Sequence, residues 1–289
     1  MIKKVIIKIV ISIVVASVFL LSLDIPNKFT VSRLDYKKSI NKEKDNNKET
    51  KIEDNSQDVK EEEAQIVDNS QSESLQNNEE QVVNKKTIVI DPGHSSNPKS
   101  NTEPLYPGST NMKVMDTIGA CGINGIQEYS INNDVAKLLR NDLESRGFNV
   151  ILTKETIEVD LSNIERAEIG NESNADLVIR IHCDSFDDSL ANGASMLVPA
   201  NNNITGNIYN TSKKYGEIIL NSYTNKVPIK NRGIIETSEM TGFNWSRVPI
   251  VLIELGFLSN PADDNFISNS NNYQLIVSSI GEGIEQCFE

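Results

Sequence analysis

Only two histidines occur in 289 residues, and each closes a short apolar run. His94 ends Thr87-Ile88-Val89-Ile90-Asp91-Pro92-Gly93-His94, and His182 ends Asp176-Leu177-Val178-Ile179-Arg180-Ile181-His182. An imidazole can move protons near neutral pH or bind a metal through one ring nitrogen. A continuous apolar run without period-two alternation reads as a strand covered on both faces, as in a parallel sheet. Ligands of such sheets gather outside the carboxyl ends of the strands. The two rings are therefore expected to meet; one such histidine alone is more often structural, and it is the equivalent placing of both that brings the ligand reading level with the structural one.

A hydrolytic metal site takes three protein donors and keeps one position for water or substrate, so two histidines leave one ligand to find. Two carboxylates stand out. Glu128 lies between a long loop and a helix, in Gly125-Ile126-Gln127-Glu128-Tyr129. Glu254 interrupts the apolar stretch Val251-Leu252-Ile253-Glu254-Leu255-Gly256-Phe257. A carboxylate buried without a partner costs roughly several kcal/mol, so Glu254 is either functional or paired with Arg180, Arg232 or Arg247. The bland reading of Glu128 is a charge near a helix amino end, worth about 0.3–1 kcal/mol. Asp91 serves either as the acceptor that orients His94 or as a turn former before Pro92-Gly93. Cys183 points to the opposite face from its neighbour His182 and is not counted as a ligand.

Other chemistries lack their residues. The chain contains no H-E-x-x-H, G-x-S-x-G or G-x-x-x-x-G-K-[ST] motif. With both imidazoles assigned to a metal, none remains to activate a serine or cysteine. The three cysteines are widely spaced and permit at most one bridge.

The elements that must position these groups follow from periodicity. Ser130 is expected to cap a helix that runs to about Arg146, with Gly147 as its stop. A strand follows over residues 148–152, and Ser162-Asn163-Ile164-Glu165 has the form of a capping box that opens a second helix. Further strands are expected over 194–198 and 248–255, and further helices over 208–223 and 274–288. Alternating strands and helices predict an α/β class, a mostly parallel (mixed) sheet with helices on both faces, in a single catalytic domain over 85–289. Residues 95–126, rich in Gly, Pro, Asn, Ser and Thr, form a connection too long to be idle.

Ahead of this domain, residues 1–24 read as a signal sequence or an uncleaved membrane anchor, with Lys3, Lys4 and Lys8 before fifteen uncharged residues. Residues 25–84 read as a disordered acidic linker. Residues 42–84 alone carry 13 acidic and 5 basic side chains and no aromatic residue, too little apolar surface to offset the entropy of ordering. The chain's net charge of −13 argues against nucleic acid as partner.

Four ordered motifs carry a resemblance: Ile90-Asp91-Pro92-Gly93-His94, Glu128-Tyr129 at a helix start, Ile181-His182 before a polar turn, and Ile253-Glu254-Leu255-Gly256-Phe257-Leu258-Ser259-Asn260-Pro261. Together, from about Lys86 to the carboxyl end, they resemble the zinc-dependent N-acetylmuramoyl-L-alanine amidases of bacterial cell walls. The resemblance implies an α/β fold, one zinc ion held by His94, Glu128 and His182, and Glu254 as the catalytic carboxylate. It also implies hydrolysis of the amide between N-acetylmuramic acid and L-alanine in peptidoglycan, outside the cytoplasm. Two departures are visible: Asp184 stands where family members often carry Asn, and the 95–126 loop is longer than in short members. Two rival functions are a membrane-tethered wall-binding module without catalysis and a zinc hydrolase that cuts another wall bond. Gly242-Phe243-Asn244-Trp245 is a candidate stacking surface for substrate, or simple packing. The motifs leave open a requirement for a protein activator.

Overall fold

The computed structural model describes residues 85–289. The expected anchor or signal (1–24) and acidic linker (25–84) lie outside the described residues. Among those described, no helix is long and apolar enough to cross a membrane.

The elements run β1 (Thr87–Pro92), β2 (Thr102–Pro104), β3 (Met112–Val114), α1 (Glu128–Ser145), β4 (Asn149–Leu152), α2 (Asn163–Glu172), β5 (Leu177–Asp184), β6 (Ala194–Pro199), α3 (Gly206–Thr224), β7 (Asn231–Thr237), α4 (Thr241–Trp245), β8 (Ile250–Phe257), α5 (Pro261–Ile267) and α6 (Tyr273–Gln286). Six strands form one sheet in the order β4-β1-β5-β8-β6-β7. The first four are parallel, β6 runs antiparallel to β8, and β7 pairs parallel with β6. The sheet is mixed and mostly parallel, as the alternation of elements predicts.

Both faces are covered, which explains the unbroken apolar runs. Ile88, Ile90, Ile179, Ile181, Val251 and Ile253 pack with residues of α1, α3 and α6 on one face. Val89, Val178 and Leu252 turn the other way and join Phe243 of α4. Period two along each strand thus divides one apolar run between two cores.

Helix α2 starts with the expected box: the Glu165 amide donates to Ser162 Oγ at 3.1 Å, and the Ser162 amide to Glu165 Oε2 at 2.9 Å. Gly147, at φ +93°, closes α1. The start of α1 differs from expectation. It begins at Glu128, so Ser130 lies inside the first turn. The cause is tertiary, because the Glu128 amide donates to the Ala120 carbonyl at 2.9 Å and the loop supplies what a capping side chain would. The edge strand β7 carries no apolar alternation and was not foreseen. It pairs around an irregularity, with Ala194 opposite Asn231 and Met196 opposite Ile234.

The long 95–126 connection is fixed to the body. Its β2–β3 hairpin presents the buried Glu103, whose carboxylate accepts from the Asn163 and Ile164 amides at 3.1 Å each, capping α2. Asn244 Nδ2 donates to the Leu105 carbonyl and Trp245 Nε1 to the Pro104 carbonyl, both at 3.1 Å. Trp245 therefore packs against the loop.

Beneath the site lies a buried charge cluster. Asp91 accepts from Arg166 Nη1 at 2.7 Å, Arg180 Nε at 2.7 Å and Thr153 Oγ1 at 2.6 Å. Burial alone would raise this carboxyl, but the two guanidinium groups overcome it and hold the group well below the usual carboxylate range. A depressed folded pKa means that the stabilisation is present above the unfolded value and is lost as pH falls through the folded one. Among the described residues, Asp91→Asn removes the one carboxylate paired with buried Arg180 and leaves buried Arg166 with Asp116 alone, and is expected to cost about 3–5 kcal/mol of unfolding free energy in urea titrations. Wild-type stability should also fall below the ordinary carboxylate range, with a shallower acid slope in Asp91→Asn.

Candidate metal centre

His94 follows β1 through the turn Pro92-Gly93 and sits at φ +63°, a left-handed conformation that side chains adopt only where surroundings impose it. Gly93 makes the approach of the second histidine feasible. A Cβ on it would fall 2.2–2.6 Å from ring atoms of His182. His182 projects from β5, and Glu128 comes in from the first residue of α1.

The three converge. Glu128 Oε1 lies 3.2 Å from His94 Nε2 and 3.1 Å from His182 Nδ1, and the candidate donor atoms fall within 4.8 Å of one another. The rings meet edge to face, with centroids 4.8 Å apart. The loop and the next strand hold the carboxylate: the Ala120 amide donates to Oε2 at 2.8 Å, and the Cys183 amide to Oε1 at 3.1 Å. Cys183 itself points away, into the larger core, as alternation requires.

Electrostatics prepares Glu128 and His182 as donors. Burial would raise the Glu128 carboxyl, but hydrogen bonds from His182 and His94 hold it well below its ordinary range. Burial lowers His182 to about 4, so its ring is neutral near pH 7. Burial opposes the charge on His94 too, yet Asp116 and Glu128 prevail and raise it to about 9. His182 Nε2 is buried with no hydrogen-bond partner. Two imidazoles and one ionised carboxylate around a common point are a fitting donor set for a divalent transition metal.

The fourth expected residue, Glu254, stands on β8 directly opposite His182. None of the arginines proposed as its partners reaches it as a salt bridge. Arg180 binds Asp91, Arg247 binds Glu168 at 3.0 Å, and Arg232 donates to the Asn192 carbonyl at 3.1 Å. Glu254 Oε2 is buried and unpartnered. Burial, with Glu128 and Asp184 adding negative charge nearby, pushes this carboxyl well above its usual range. A carboxyl raised in this way is suited to taking up and returning a proton.

Asp91 does not touch His94; its carboxylate is committed to Arg166, Arg180 and Thr153. The orienting groups come instead from the loop. His94 Nδ1 lies 3.0 Å from the Thr117 carbonyl, 3.0 Å from Thr117 Oγ1 and 3.6 Å from Asp116 Oδ1. Nothing in Met115-Asp116-Thr117-Ile118 announces this, because it depends on a fold-back of 23 residues. Gly119 closes the arrangement at φ +75°, and a Cβ there would lie 2.7 Å from both Glu128 Oε2 and His94 Cδ2. Gly119→Ala is therefore expected to displace both side chains and weaken divalent-ion binding at least about tenfold. Competition with a chromophoric chelator would measure this, with urea unfolding as the check that the fold survives.

A family model described as N-acetylmuramoyl-L-alanine amidase matches residues 88–286. Similar sequences include a probable cell wall amidase LytH from Staphylococcus saprophyticus, 29% identical over 156 residues that cover 53% of this chain and 47% of the relative. The N-acetylmuramoyl-L-alanine amidase AmiC from Neisseria meningitidis is 23% identical over 206 residues, covering 58% and 49%. The chain thus spans about half the length of these relatives. Among solved structures, the amidase Ami1 from Mycobacterium smegmatis shares the fold with TM-score 0.63 at 20% identity, over 70% of this chain and 96% of that one. The CwlD amidase from Clostridioides difficile, solved in complex with the GerS lipoprotein, matches with TM-score 0.57 at 25% identity, over 71% and 98%. The family match runs from the second residue of β1 to the last of α6 and takes in the whole main sheet and all four expected site residues, so this chain belongs to the N-acetylmuramoyl-L-alanine amidase family.

Proposed function

We propose that this protein is a zinc-dependent amidase that cuts peptidoglycan between the lactyl group of N-acetylmuramic acid and the first L-alanine of the stem peptide. The observation that carries the reading is the convergence of His94, His182 and Glu128 beside a half-buried Glu254 whose Oε2 is enclosed and unpartnered. The family match supports the bond and the substrate. The donor set of two nitrogens and one oxygen supports zinc, and one carboxylate against a doubly charged ion leaves the site a net +1.

His94, His182 and Glu128 would hold the ion, which supplies Lewis acidity toward the amide carbonyl and makes water a better nucleophile. Glu254 takes the proton of the attacking water and delivers it to the leaving nitrogen, a role suited to its raised pKa. Water adds to the carbonyl carbon and the carbon–nitrogen bond breaks. A lactyl carboxylate remains on the sugar, and a free amine appears on L-alanine.

Residues 85–289 are proposed as the catalytic domain. Residues 1–24, as anchor or signal, and the acidic tether would place that domain outside the cytoplasm against the wall. Peptidoglycan is the substrate partner in this reading, and the membrane is a partner only through the amino-terminal segment.

The test is digestion of purified peptidoglycan by the full-length protein, with mass analysis of the released fragments. Intact stems beginning at free L-alanine, abolished by a chelator and restored by zinc, are the expected products. Glu254→Gln should retain zinc and lose about 10²–10⁴-fold in rate, whereas His94→Ala and His182→Ala should lose zinc and activity together. Full activity in Glu254→Gln would remove that residue from the mechanism. Fragments cut at another linkage would move the bond, and binding of wall without release would favour the non-catalytic module.

A further inference from the structure

Six arginines lie among the described residues, and five of them hold a carboxylate oxygen at 2.7–3.0 Å. Arg232 is the exception. It is solvent-exposed, lacks a carboxylate partner among the described residues, and belongs to a strongly acidic chain. An unpaired guanidinium there needs a reason.

Its place in the sheet supplies one. Strand β7 runs parallel to β6 and antiparallel to β8, so its amino end lies at the same sheet edge as the carboxyl end of β8. Ser195 pairs with Glu254, and the preceding Ala194 pairs with Asn231. Arg232 thus stands nearly level with Glu254, two strand spacings away, or about 10 Å between backbones. The side chain leans back over the site edge, because its guanidinium lies 5.0 Å from the ring centroid of Phe257, three residues beyond Glu254 on β8. Nη1 donates to the Asn192 carbonyl at 3.1 Å. Gly193 makes room for the stem: a Cβ there would lie 3.0 Å from Arg232 Cγ. One face of the guanidinium is fixed by the aromatic ring and one corner by the carbonyl, while the remaining N–H groups stay available.

We propose that Arg232 binds a carboxylate of the stem peptide, carried two or three residues beyond the amide to be cut. The proposal rests on the amidase reading above. The guanidinium sits over Phe257, three residues or roughly 10 Å along β8 from Glu254, and an extended peptide advances about 3.3–3.6 Å per residue, so this offset passes over L-alanine and reaches the acidic groups that follow. The D-glutamyl residue carries a carboxylate, as does the third residue wherever it has a second carboxyl or ends the stem, and a preoriented guanidinium fork pairs with such a group bidentately. Arg232 would then be a specificity residue that distinguishes free from amidated stems.

The experiment uses full-length protein and soluble N-acetylmuramoyl tripeptides whose D-glutamyl and third-residue carboxylates are each free or amidated. The wild type is expected to favour one free-acid form over its amide by about tenfold in kcat/KM, expressed mainly in KM. In Arg232→Gln that ratio should collapse toward one, and Arg232→Lys should restore part of it. Calorimetric titration of the tripeptide alone, without the sugar, gives a reading independent of turnover: Arg232→Gln should bind the acid form about tenfold more weakly. An unchanged acid-to-amide ratio, or both forms slowed alike, would assign Arg232 to supporting Phe257 and the nearby Asp184, and would overturn the proposal. Absence of cleavage in the wild type would instead count against the amidase reading, and the titration would still decide the role of Arg232.

Discussion

A carboxylate locked between two arginines holds together the edge of this sheet from which both histidines project. Asp91 closes β1 three residues before His94, Arg180 sits on β5 two residues before His182, and Arg166 comes across from α2. Their pairing ties the ends of two adjacent strands to a helix, so the two histidines leave the sheet from one rigid platform. Arg166 also approaches Asp116 at 3.5 Å, and Asp116 in turn approaches His94. A continuous run of buried charge thus extends from the sheet interior to a ring of the metal centre. Replacing it with apolar side chains of similar volume need not cost stability, but the replacement would no longer aim His94.

Much of this was legible in the sequence because period and composition state it directly. The apolar runs ending at His94 and His182 announce strands covered on both faces, and the charge inside 251–257 marks the carboxylate that the fold sets opposite His182. The capping box at Ser162 is a local signal and appears as written. The parts not legible are those decided by distant partners. Helix α1 starts at Glu128 because a carbonyl eight residues earlier satisfies its first amide, which no local pattern records. Strand β7 is an exposed edge strand whose residues match no template of burial. Asp91 and Asp116 exchange the roles that proximity in sequence would assign, since the nearer one is consumed by arginines and the farther one returns on a loop.

The metal centre also shows how one local environment produces opposite protonation behaviour. Glu128 is driven toward its charged form by two imidazoles and two backbone amides, whereas Glu254 meets none of these and is driven toward its neutral form. The two carboxyl groups face the same histidine, yet only one is supplied with donors. In the proposed mechanism that division separates a ligand from a proton carrier without any difference in residue type.

The clamped 95–126 connection has a consequence for how the approach to the site can vary. Glu103 and Asn163 fasten its hairpin, Asn244 and Trp245 hold the carbonyls at its turn, and Ala120 is fastened to Glu128. Residues 106–111, between these fastenings, bear none of the contacts that aim the ligands. Closing a longer loop costs only about 0.6 kcal/mol per doubling of length. Residues 106–111 can therefore be lengthened, shortened or recoloured in charge while Ala120, Asp116 and Thr117 keep Glu128 and His94 in register.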